Sequence, residues 1–335
     1  LDADDQIVWL SQVAAVHLGL DPQRDVGQRI TNLVRAPLFV AALQAGQTTS
    51  PILLDQYQGR LSLSVSVRAY GAGQRLVLSQ DVTEQQRSEA MRRDFVANVS
   101  HEIRTPLTAL VGFVETMMTL PLGEADRRRL LGLMGQQAGR MQSLVSDLLT
   151  LARLEGGPTP PPDQWTPVAD LIEQVEVETR ALSAGRHALE FPVVEALVHE
   201  GAEIAGSATE LLSALVNLAS NAVRYTPDGG CVAVRWQLRA QGGGVFEVAD
   251  SGIGIAREHL PRLTERFYRV DGSRSRETGG TGLGLSIVKH AVQRHGAELI
   301  IDSEPGRGST FRILFPAARV RARPQLAREL EPDQR

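Results

Sequence analysis

The chain has 335 residues, 42% hydrophobic and 22% charged, a globular composition too long for one ordinary core, so two or three domains are expected. A formal net charge of −4 offers no basic footprint, which argues against direct nucleic-acid binding. One cysteine, Cys231, excludes an intrachain disulfide, and no apolar run approaches the roughly 20 residues a membrane-spanning helix needs.

Residues 1–83 read as a small mixed α/β module. Ile7-Val8-Trp9-Leu10 is a strand candidate, 11–45 are helical in pieces, and Leu61, Leu63, Val65 and Val67 alternate with polar residues as a half-buried strand does. Another strand, 75–80, precedes Asp81-Val82-Thr83-Glu84, where Asp or Thr can cap a new helix. This succession resembles a PAS sensory domain.

From 84 to about 119 the pattern is one long helix, with Val96, Val99, Ile103, Pro106, Leu110, Phe113 and Met117 on a heptad seam. A turn at Pro121-Leu122-Gly123 leads to a second helix over 124–155. A lone hairpin cannot bury these stripes, so pairing of two chains into a dimeric antiparallel four-helix bundle is expected. His101 falls at the sixth heptad position and faces solvent, on one surface with Arg104, Thr105 and Thr108. An exposed, mostly neutral imidazole can attack an electrophilic phosphorus, and adjacent Glu102 is placed to orient the ring and take the released proton. Pro106, inside the helix, cannot bond the Glu102 carbonyl, a local cost of about 3 kcal/mol that predicts a bend beside His101.

Residues 156–162, rich in Gly and Pro, form a linker. Residues 163–316 are expected to fold as an α/β sandwich, with helices near 167–184, 207–224 and 282–296 and strands near 187–191, 197–200, 231–239, 244–250, 297–303 and 309–315. The charged, proline-containing tail, 317–335, is expected to be disordered. Asn217 and Asn221 lie one turn apart on one helix face, where an amide oxygen can ligate Mg2+: Asn221 is the first candidate and Asn217 the second. Asp250 ends a strand and can accept the exocyclic amine of adenine before the turn at Gly252 and Gly254. Gly279, Gly280, Thr281, Gly282, Leu283 and Gly284 precede and open a helix, so that free amides can meet phosphates. Residues 271–281 would then cover the nucleotide as a lid.

Taken in order, Ser100-His101-Glu102-Ile103-Arg104-Thr105-Pro106-Leu107, Asn217 to Asn221, Asp250 to Gly254 and Gly279 to Gly284 resemble the motifs of bacterial sensor histidine kinases of two-component systems. The resemblance is strong over 84–316 and looser over 1–83. It implies a multidomain α+β fold: the PAS-like module, the dimeric helical bundle and a C-terminal ATP-binding α/β sandwich of the gyrase and histidine-kinase type. It implies ATP and Mg2+ as cofactors, phosphorylation of His101, and transfer to the receiver domain of a response regulator. Thr105 would assist dephosphorylation of that regulator, Arg224 would face phosphate and Tyr225 the adenine. Related ATPases carry a glutamate where Asn217 stands, and its neutral amide favours transfer to histidine over hydrolysis. Arg262 to Asp271 resembles the family's phenylalanine box, with Thr264 in place of a second aromatic residue. The protein is thus expected to be the cytoplasmic portion of a homodimeric sensor, attached to the inner membrane through a segment ahead of Leu1.

Overall fold

A computed structural model describes residues 1–46, 48, 50–56, 60–71, 73–270 and 280–322. Two compact units divide the chain, Leu1–Val99 and Ser100–Arg335. In the first, α1 (Gln12–Leu18), α2 (Ile30–Leu33) and α3 (Pro37–Gln44) precede an antiparallel sheet of β1 (Ile52–Gln56), β2 (Leu61–Tyr70) and β3 (Gln74–Asp81), in that spatial order. The alternation in β2 is real: Leu63, Val65 and Val67 are completely buried and join Ile7, Ile30, Phe39 and Leu43 in the core. Ile7 to Leu10 is not the expected strand. Only Gln6 makes a bridge, to Arg29, and Val8 and Trp9 are both exposed, so the segment shows no two-residue alternation. β1 was not expected.

At the end of β3 the Asp81 carboxylate accepts the Thr83 amide at 2.9 Å and its hydroxyl at 2.6 Å, starting α4 (Thr83–Thr119). The Thr83 hydroxyl, then its amide, hold the Asp81 carboxyl below the usual carboxylate range.

In the second unit α4 runs on through Pro106 and turns back as α5 (Glu124–Gly156). From Ile103 on, the heptad seam lies inside this hairpin: Pro106, Leu144 and Leu151 are buried, and Ile103, Leu110, Phe113, Met117, Leu130, Met134, Met141 and Leu148 are half-buried, whereas Val96, at the head of the expected seam, is exposed. A second stripe, at the same alternating four and three spacing, stays exposed on α4 as Leu107, Val111, Val114 and Met118, with Leu131, Val145 and Leu149 exposed on α5.

The following residues build a sheet of five strands in the order β5 (Ala188–Glu190), β7 (Cys231–Leu238), β8 (Gly244–Asp250), β10 (Gly308–Phe315) and β9 (Glu298–Glu304). All neighbours are antiparallel except β5 and β7. Val234, Phe246, Val248, Phe311 and Ile313 are buried beneath α6 (Val168–Ser183), α8 (Ala208–Tyr225) and α9 (Gly284–Arg294). The other face is solvated and laced by Arg235 to Glu247 at 2.9 Å and Arg312 to Glu247 at 2.6 Å. Helices on one face and water on the other make a two-layer α/β sandwich.

A smaller sheet runs β11 (Val320–Ala322), β6 (Ala202–Ala205), β4 (Trp165–Pro167). It corrects two expectations. Residues 197–200 are not a strand but the end of α7 (Val194–Glu200), which Gly201 closes in the left-handed conformation, and the strand begins after that turn. The tail is ordered at its start, because β11 pairs with β6; residues 323–335 lie outside the described residues. Among the described residues no helix is long and apolar enough to cross a membrane.

Candidate functional site

Ser207 caps α8 by accepting the Glu210 amide at 3.4 Å, and the apolar face of the helix, Leu211, Leu215, Leu218 and Ala222, buries against the sheet. Flanking that face stand Asn217, Asn221, Arg224 and Tyr225, all at least partly exposed. The Asn217 amide nitrogen donates to the Ser213 carbonyl at 2.8 Å, which directs its oxygen away from its own helix. That oxygen abuts the start of α9: a Cβ on Gly284 would come within 2.6 Å of it, so a larger residue there would push the Asn217 amide aside. Gly282, at φ +74°, is equally constrained, since a Cβ would meet the Phe267 backbone at 2.9 Å. The Phe267 amide donates to the Gly282 carbonyl at 2.9 Å and ties the phenylalanine-box segment to the glycine loop. Leu283 is fully buried and anchors the loop, and Gly280 lies beside the Tyr225 hydroxyl. Gly279 and 271–279 of the expected lid lie outside the described residues.

Asp250 closes the site from β8. Its Oδ1 accepts the Gly252 amide at 2.8 Å and the Ser309 amide at 3.3 Å, and among the described residues no hydrogen bond reaches Oδ2. Burial pushes its carboxyl above the usual range, and the two amides only partly offset this. Gly254, in the left-handed conformation, completes the turn.

On α4 His101 is exposed, together with Arg104, Thr105 and Thr108. The Thr105 hydroxyl donates to the His101 carbonyl at 3.1 Å, one residue before the carbonyl that Pro106 leaves without its helical donor. Glu102 is not engaged with the imidazole as expected. Its carboxylate pairs with Arg140 of α5 at 3.0 Å and stands 3.9 Å from Arg269, so these cations must release it before it acts as a base.

Arg140 and Arg269 had no signature in the sequence, and neither did the contacts that hold the hairpin to the sandwich. Thr281 donates its hydroxyl to Asp147 of α5 at 2.6 Å. Glu155 pairs with Arg266 and has His290 at 3.5 Å. Arg294 bonds Glu210 at 2.9 Å and reaches the Leu154 and Gly157 carbonyls at 3.0 Å, capping the last turn of α5. Apart from Arg294 with Glu210, 84 positions apart, these pairs join residues more than a hundred positions apart, which no local pattern announces.

An asparagine pair, an acid with a free oxygen and a glycine loop opening a helix meet on one side of an α/β sandwich, beside a helix bearing an exposed histidine. Comparisons place that combination. Residues 206–319 match the histidine kinase-, DNA gyrase B- and HSP90-like ATPase family, and residues 91–157 match the His Kinase A (phospho-acceptor) domain. The chain belongs to the sensor histidine kinases and is an ATP-dependent protein-histidine kinase. It is 44% identical over 324 residues to the phosphate regulon sensor protein PhoR of Pseudomonas aeruginosa, covering 96% of this chain and 72% of that one. The PhoR protein of Haemophilus influenzae is 31% identical over 311 residues, 92% of this chain and 71% of its own. The sensor-like histidine kinase SenX3 of Mycolicibacterium smegmatis is 37% identical over 244 residues, 72% of this chain and 62% of its own.

Proposed function

We propose that the protein phosphorylates its own His101 from ATP and passes the phosphoryl group to an aspartate on the receiver domain of a response regulator. A ring nitrogen of His101 attacks the terminal phosphorus; the N–P bond forms as the bond to the bridging oxygen breaks, ADP leaves with that electron pair, and Glu102 takes the imidazole proton. Asn221, with Asn217 as the second candidate, would hold Mg2+, which when bound would neutralise charge at the phosphates. Arg224 and the amides of Gly279 to Gly284 bind phosphate, Asp250 selects the adenine amine, and Tyr225 lies along the base. Thr105 assists the reverse chemistry, hydrolysis of the phosphorylated regulator.

The single observation carrying this reading is the exposure of His101 in a unit that also gathers Asn217, Asn221, Asp250 and Gly284 into one site. The domain plan we propose is a PAS-like sensor over 1–83, a phosphotransfer hairpin over 84–155 that dimerises as a four-helix bundle, a linker over 156–162 and the ATP-binding domain over 163–316. The likeness to the two phosphate regulon sensor proteins supports phosphate signalling. Incubation with γ-labelled ATP tests the chemistry. Wild type should acquire acid-labile, base-stable label and His101→Gln none; equal labelling of both would remove His101 from the reaction.

A further inference from the structure

The Asp147 carboxylate lies against the glycine loop whose amides are assigned to phosphate. It accepts the Thr281 hydroxyl at 2.6 Å, and the same hydroxyl accepts the Leu283 amide at 3.2 Å, so a loop donor assigned to the nucleotide is already engaged. Thr281 is buried and Asp147 half-buried, and the charge of Arg224, the cation assigned to phosphate, acts on this carboxylate. Arg224 forms none of the ion pairs found among the described residues. The hairpin thus presents an anion from α5 to the very groups that would bind an anionic ligand.

We propose that Asp147 is an intramolecular stand-in for a nucleotide phosphate, clasping the ATP-binding domain to α5 until ATP displaces it. The proposal rests on the reading of Thr281, Leu283 and Arg224 as nucleotide-side residues. The clasp does not act alone: Glu155 with Arg266 and His290, and Arg294 on the end of α5, hold the same two elements together. Yet Asp147 is the contact a triphosphate competes with directly. Burial of its carboxylate raises its pKa, with the Thr281 bond and the Arg224 charge opposing, so the ionised group is held at a cost that release into water relieves. Release also moves Arg269, on the sandwich side, away from Glu102 on α4, which still leaves that carboxylate paired with Arg140 of the hairpin.

Only molecules with the clasp open bind nucleotide, so the apparent dissociation constant is weakened by the open fraction: if about one molecule in ten is open, the loss is about tenfold. Calorimetric titration of the full chain with the non-hydrolysable analogue AMPPNP and Mg2+ measures this. Asp147→Ala, which removes the acceptor and the charge and suits a helix, should bind about tenfold more tightly than wild type. Asp147→Asn keeps an oxygen for Thr281 but no charge, and should also bind more tightly. Unchanged or weaker binding by Asp147→Ala overturns the clasp, and unchanged binding by Asp147→Asn overturns the claim that the charge does the holding. In both of those cases wild type still binds AMPPNP and Asn221→Ala does not, and the nucleotide site survives. Absence of binding by every protein would overturn the site and the clasp together.

Discussion

Asp250 and Asp147 are both half-buried carboxylates with raised pKa, yet they differ in what they face. Among the described residues no hydrogen bond reaches Asp250 Oδ2, so an adenine amine placed there would gain a charge-assisted bond worth about 1.5–3 kcal/mol. Asp250→Asn, which turns half of that acceptor pair into a donor, should weaken ATP binding by roughly 10- to 100-fold. Equilibrium titration with ATP checks this, and GTP binding should change far less. Residues of this kind were legible from the sequence because their chemistry is local: an acid ending a strand before Gly252, asparagines one turn apart, glycines opening a helix. Asp147, Arg140 and Arg269 were not, since each acquires its meaning from a partner on another element. Glu102 marks the boundary: its neighbour in sequence is His101, but its partners in space are arginines.

The junction of α8 with α9 turns on His295, which is completely buried. Its Nδ1 lies 2.7 Å from the Ala291 carbonyl and its Nε2 accepts the Ser207 amide at 3.1 Å, the arrangement of a neutral ring. Burial lowers its pKa, only partly offset by the Ala291 carbonyl and Glu210. A base with a depressed folded pKa binds fewer protons folded than unfolded, so its contribution is complete above the unfolded value of about 6.5 and is lost as pH falls below it. Urea unfolding should therefore show stability declining from pH 7 toward pH 5.5, this group contributing at most about 1.4 kcal/mol per pH unit, with a shallower decline in His295→Gln. Elements with long periods, such as α4, α5, α8 and the alternating β2, could be read in advance. Strands of three or four residues, β4, β6 and β11, are shorter than any period, and the apolar run before Gly201 fitted strand and helix equally until that glycine ended it as α7.

At the scale of the whole molecule, the hairpin's inner seam is satisfied within one chain, whereas the outer stripe of Leu107, Val111, Val114 and Met118 is not. A second copy meeting this stripe would complete a bundle, and a carboxylate placed there would be left unpaired in an apolar interface at a cost of several kcal/mol. Sedimentation should find wild type dimeric and the double variant Val111→Asp, Val114→Asp monomeric at micromolar concentration; a dimer in both would put the interface elsewhere. The account as a whole depends on where the phosphoryl group goes. The most direct measurement is to phosphorylate the unaltered chain with ATP and Mg2+ and locate the group by 31P resonance and peptide mass at neutral pH. A phosphoramidate on the peptide containing His101 is the predicted result. A phosphoester on another residue, or inorganic phosphate released with no phosphoprotein formed, would contradict it.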